Sequence, residues 1–281
     1  MSFEAQYRLT RQLQWLSYAP NLVSTPDLEL PQGLLGQTCF ELQEHRLGAR
    51  RLGLQFEQIL KIYLRYQSQV TDIESNIPVR KDKITLGEAD LLLRFKEQWW
   101  HIEVALKFYL RQPGVEGLAG YYGPNRRDRF DIKWQHMVNH QTQVLQQESA
   151  EPILAARNIN TVRRAVLVKG WLFQHPDDHR AERPAPINPH HQRGWWVHNT
   201  ELPLWLSCQP SNATYLVVEK PYWLYPLGSI AKPALNGRQL LNLLRDRTFP
   251  AQVWVVLGTG RSRQLLSRGY VVSDGWEQID G

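Results

Sequence analysis

Cysteine is scarce: Cys39 and Cys208 are the two in 281 residues, and they stand far apart. Neither a disulfide framework nor a four-cysteine zinc site can be built from them, so a reducing compartment is expected. No apolar run is long enough to span a bilayer. The first sixteen residues scatter their charges and lack a continuous apolar core, which is not the pattern of a signal peptide. Repeats and low-complexity tracts are missing too. A soluble, cytoplasmic protein without membrane contact is the expectation. Charge of one sign is not strongly in excess: 33 Lys+Arg against 27 Asp+Glu leave +6. That balance suits a phosphate-bearing partner without requiring one.

What is present is ordinary core-forming material, 42% hydrophobic residues including 11 tryptophans. One elaborated domain is the default at this length. Residues 3–18 show helical spacing of Leu9, Leu13 and Leu16, and residues 19–31 carry three prolines and read as a linker. A second helical stripe, Phe56, Leu60, Tyr63 and Leu64, runs through 52–66. The period then shortens to two. Strands are expected at 77–80, 86–95 and 99–109, with turns at 81–85 and 96–98, forming an antiparallel meander. A glycine-rich basic connection leads to a helix over 131–147 and a branched strand over 162–173. Beyond a long loop at 174–194, strands are expected at 195–197, 215–219 and 253–257, with a helix at 236–245. The chain divides into an N-terminal helix and linker (1–49), a core (50–174) and an α/β extension (175–281) packed on that core.

The chemistry follows from the faces of two strands. In 99–109 the even positions Trp100, Ile102, Val104, Leu106 and Phe108 are all apolar, while the odd face holds His101, Glu103 and Lys107. In 86–95 one face carries Glu88, Asp90 and Arg94. Pairing through the short turn brings Asp90 and Glu103 within one or two positions of each other, about 5 Å across strands. Carboxylates that close repel unless a proton or a metal compensates, and Mg²⁺ is usually held by one or two carboxylates with phosphate oxygens. The alternative is a solvated strand face. Glu57, at the border of the inward stripe of 52–66, offers a third acid. His101 reads as a packed strand histidine.

The series GLQFEQILKIYL, GEADLLLR and WHIEVALKFYL, followed by a helix with an inward glutamine, resembles the PD-(D/E)XK nuclease superfamily. The resemblance implies an α/β fold with a restriction endonuclease-like core: helix, three antiparallel strands, helix and strand, in a mixed sheet flanked by helices. It implies catalytic roles for Glu57, Asp90, Glu103, Lys107 and Gln141, and metal ligation by Asp90, Glu103 and Glu57 with Glu88 as accessory. Mg²⁺ or Mn²⁺ would be the cofactor and DNA or RNA the partner. Segment GPNRRDR and strand HIEVALKFYL further resemble the bacterial family named domain of unknown function 1853. The superfamily's acid and lysine are separated by one residue; here that lysine position is Ala105, and Lys107 lies four residues on, about 13 Å instead of about 7 Å along a strand. A catalytically inactive nuclease-fold module, binding nucleic acid or protein, is therefore the alternative to a nuclease.

Arg126, Arg127, Arg129 and Lys133 follow the acid-bearing strand and suit the phosphate backbone. Tyr121 and Tyr122 can stack on bases or anchor the loop. His175, His179, His190, His191 and His198 are dense, but lie among prolines and arginines without cysteines, so no zinc site is expected from them. Residues 258–262 lack the Lys-Ser/Thr ending of a phosphate loop and read as a turn.

Overall fold

The computed structural model describes residues 3–36, 40, 51–178, 184–230, 232–258 and 262–278. The strongest period-two stretch becomes its organising hairpin, β2 (Ile84–Phe95) with β3 (Gln98–Arg111). Lys96 and Glu97 take φ values of 49° and 64°, the doubly left-handed turn whose twist suits a two-residue hairpin. The turn sets the register: Phe95 pairs with Gln98 and Leu91 with Ile102.

Strand β1 (Val70–Lys81) pairs antiparallel with β2 and is longer than the expected 77–80. Its first half, with Asp72, Glu74, Ser75 and Asn76, has too little apolar content for the alternation to show. As an outermost strand it also tolerates Pro78, which cannot donate to a ladder. On the other side β3 runs parallel to β5 (Val162–Gln174). Residues 165–173 of β5 are buried without interruption, as a strand covered on both faces requires. Gly170, at φ 134°, pairs with Lys107, and a Cβ there would lie 1.7 Å from the Lys107 carbonyl. Only glycine allows that approach.

Among the described residues nine strands form one sheet, ordered β1-β2-β3-β5-β6-β9-β8-β7, with the two-residue β4 (Tyr121–Tyr122) also on β3. The far half comprises β6 (Arg193–His198), β7 (Thr214–Val218), β8 (Ala251–Leu257) and β9 (Gln264–Val272). The C-terminal portion therefore continues the same sheet. Strand β9 is not expected from the sequence, because its exposed Leu265 and Leu266 and its buried Val271 and Val272 make no alternating pattern.

Helices α1 (Phe3–Tyr18) and α2 (Leu52–Arg65) cover one face, where Leu13, Phe56 and Tyr63 share a core with Leu93, Ile102 and Phe108. The other face is covered by α3 (Phe130–Asn139) and a 3₁₀ segment, Gln141–Gln146. The expected single helix over 131–147 is thus broken, with His140 at φ −123°. Asn139, His140 and Thr142 are weak helix formers, and the break turns Val144 and Leu145 onto β1 and β2. Short helices α4 (Glu151–Ala155) and α5 (Leu202–Ser207) and the capped α6 (Gly237–Leu244) complete the chain. Within the described residues no helix is long and apolar enough to cross a membrane.

Candidate metal and phosphate site

The hairpin register points Asp90 at Glu103, yet the ladder ends one step earlier, at Leu91 and Ile102. Side chains replace the missing backbone bonds. The Val104 amide donates to Asp90 Oδ2 at 2.9 Å, and the Asp90 amide donates to Glu103 Oε1 at 3.4 Å. The two strands part here and hold a carboxylate each in the gap.

Glu103 is fully buried, with 0% exposure, and an ionised carboxylate in that position must be compensated. His101 Nε2 lies 2.8 Å from its Oε1, and Gln141 Nε2 donates to its Oε2 at 2.9 Å. Burial, and then the charge of Glu103, push the Asp90 carboxyl up to about 7. The charge of Glu57, brought in by α2, adds to that rise. Glu103 thus meets Asp90 through a hydrogen bond from its amide, whereas Glu57 reaches it through charge alone.

Gln141 lies on the 3₁₀ segment and not on the helix expected for it, and it links the acids to a lysine. Its Oε1 accepts from Lys133 Nζ at 2.8 Å, with His136 Nδ1 at 3.2 Å. Burial and then the nearby Lys107 charge lower the Lys133 pKa, against the pull of Asp90, Glu103 and Asp128. Lys133 therefore belongs to the acidic cluster, where the sequence suggests only one more cation for a phosphate backbone. No spacing in the sequence points to that role, because the helix that carries Lys133 ends before Gln141.

Lys107 is held elsewhere. Its ammonium pairs with Asp128, whose other oxygen accepts from Tyr109 at 3.2 Å. No motif or periodicity in the sequence singles out Asp128. Glu88 is exposed and accepts from Asn76 at 2.9 Å, and Asn76 accepts in turn from Lys61. Arg129 makes a two-pronged pair with Asp131 at 2.7 and 3.0 Å. Arg126 lies 3.9 Å over the Tyr122 ring and donates to Gln112. Tyr121 is buried edge-on against Phe130, so it anchors the loop and offers no open stacking face. Arg127 is exposed and borders a cavity of about 910 Å³ that Lys107 and Asp128 also line. Lys220 and Arg247 add positive charge to that cavity, and Trp223 and Phe249 add flat apolar surface. His179 and residues 259–261 of the discounted turn lie outside the described residues.

A family described as "Domain of unknown function (DUF1853)" matches residues 11–261. The chain belongs to that family. No curated protein and no solved structure matches it.

Proposed function

We propose that this DUF1853-family protein is a divalent-metal-dependent phosphodiesterase acting on DNA or RNA, with the restriction endonuclease-like core formed by α2, β1–β3, α3 and β5. The observation that carries the reading is the acid pair at the parting of β2 and β3. Like charges pressed together in a partly dry site, with Asp90 raised to about 7, are relieved by a proton or by a cation. The donor set is all oxygen, which fits Mg²⁺ or Mn²⁺.

Asp90 and Glu103 would hold the ion, and the charge of Glu57 adds to the field at Asp90. When bound it supplies neutralisation of charge at phosphorus and a more acidic water. Asp90 must first release its proton, so the competent state is reached as pH rises through about 7. Gln141 and His101 fix the two oxygens of Glu103, which keeps the carboxylate from turning away. Lys133, tied to Gln141 at 2.8 Å, is the cation set beside the acids and stabilises charge developing on the phosphate. Lys107, paired with Asp128, anchors the 123–128 loop instead. The cavity lined by Lys107 and Asp128, with Arg127, Lys220, Arg247, Trp223 and Phe249, offers charge for a backbone and rings for unstacked bases.

The second reading, a nuclease-fold module without catalysis in the cytoplasm, is favoured by the Lys107–Asp128 pair. It removes the strand lysine from the acids, and the two readings divide on whether Lys133 replaces it. Incubating mixed single- and double-stranded DNA and RNA with Mg²⁺ or Mn²⁺ separates them. Cleavage that disappears in Asp90→Asn and Glu103→Gln supports the enzyme. Binding without cleavage in any metal supports the module.

A further inference from the structure

The histidine-rich stretch discounted in the sequence does converge, with a partner from another element. His175 directly follows β5, His198 closes β6, and Glu201 directly precedes α5. His175 Nε2 lies 2.9 Å and His198 Nδ1 3.0 Å from the same oxygen, Oε2 of Glu201. The three donor atoms all fall within 4.8 Å of one another. Both imidazoles are largely buried, their rings 6.0 Å apart, and the Trp196 ring packs edge-on against both, 4.8 Å from His175 and 5.1 Å from His198.

The opposite edge of His198 is held as well: its Nε2 lies 2.9 Å from Glu277 Oε2. A carboxylate on the far nitrogen is the usual way a ligating histidine is oriented and made more basic. Asp177 offers its amide to the far nitrogen of His175 at 3.3 Å, a weak hydrogen bond that breaks when that nitrogen carries the ring proton. Two imidazole nitrogens and a carboxylate oxygen suit zinc and its transition-metal neighbours, and Mg²⁺ poorly. Donor atoms around a tetrahedral zinc stand about 3.3 Å apart, given bonds of about 2.0–2.1 Å. The two contacts to Glu201 need only a few tenths of an ångström of expansion to reach that spacing, and the two imidazole nitrogens already lie within 4.8 Å of each other.

We propose that His175, His198 and Glu201 bind a zinc-class divalent cation, with water in the fourth position and Glu277 orienting His198. The site is separate from the acid pair of β2 and β3 and does not depend on its function. Binding forms three dative bonds. The protons on His175 Nε2 and His198 Nδ1 leave to solvent or move to the far ring nitrogens. The ion ties the end of β5 to β6 and α5, and through Glu277 to the 3₁₀ turn Trp276–Gln278.

Zn²⁺ titration of the full chain against a chromophoric chelator tests this. One equivalent should bind, and His175→Asn and Glu201→Gln should each weaken it by on the order of 100-fold. Asp90→Asn with Glu103→Gln should leave it unchanged. Co²⁺ bound to the unaltered protein should show the visible absorption of a four-coordinate nitrogen–oxygen site, a readout that survives if a variant fails to fold. No binding by the unaltered protein, affinity unchanged in both ligand variants, or a colourless Co²⁺ titration overturns the proposal.

Discussion

Two clusters of ionisable side chains sit in this sheet, and they settle their charge in opposite ways. At the parting of β2 and β3, like charges meet: burial and Glu103 drive Asp90 upward to about 7. Across the ends of β5 and β6, unlike charges meet. Burial opposes ionisation of both partners there, yet Glu277 and Glu201 raise His198, and hydrogen bonds led by His175 lower Glu201. The first cluster is an acid excess that a proton or, on the proposed function, a hard cation would relieve. The second is closed by its own protons, which a softer metal would have to displace. If both proposals hold, donor type alone distinguishes the two sites.

That contrast breaks most readily at the acid pair. Asp90→Asn or Glu103→Gln should lower metal-dependent cleavage by on the order of 10³-fold, read from initial rates at saturating Mg²⁺. Next comes the choice of lysine. Lys133→Ala should cost roughly 100-fold in kcat, whereas Lys107→Ala should chiefly lower Tm by freeing Asp128. A result with the two lysines exchanged would return Lys107 to the site.

A smaller effect lies in stability. Asp90 titrates near 3.8 in an unfolded chain and near 7 in the folded one. Between those values the unfolded chain has lost its proton while the folded chain keeps it. The stability that the protonated carboxyl contributes is therefore complete below about 4 and lost as pH rises through about 7. Without metal, Asp90→Asn should raise stability by roughly 1–3 kcal/mol at pH 8 and by almost nothing at pH 4, measured by urea unfolding. A gain equal at both pH values would sink the claim that burial and Glu103 raise the Asp90 carboxyl. Smallest of all, Glu201→Gln should leave Mg²⁺-dependent cleavage within about twofold, since distant, independent sites act additively.

The hairpin is legible because its alternation is local: once the turn is placed, the register carries Asp90 to Glu103 without further information. Glu57 and Gln141 follow from helical stripes, although the break at His140 moves Gln141 onto a 3₁₀ turn. The role of Lys133 is hidden, since its neighbours Asp90, Glu103 and Lys107 come from two strands on the far side of the packing. The His175–His198–Glu201 cluster is illegible for a stronger reason. It needs the parallel pairing of β5 with β6 and the turn into α5, and nothing in the spacing of 175, 198 and 201 reveals either. Strand β1 is half-hidden because an edge strand need not be apolar.

The central claim is that Asp90 and Glu103 form a divalent-metal site, and calorimetric titration of the full chain with Mn²⁺ at pH 8 meets it directly. The account predicts saturable binding of one or two ions that vanishes in Asp90→Asn and in Glu103→Gln and persists in Glu201→Gln. Absence of binding, or binding that survives both acid substitutions, would contradict it.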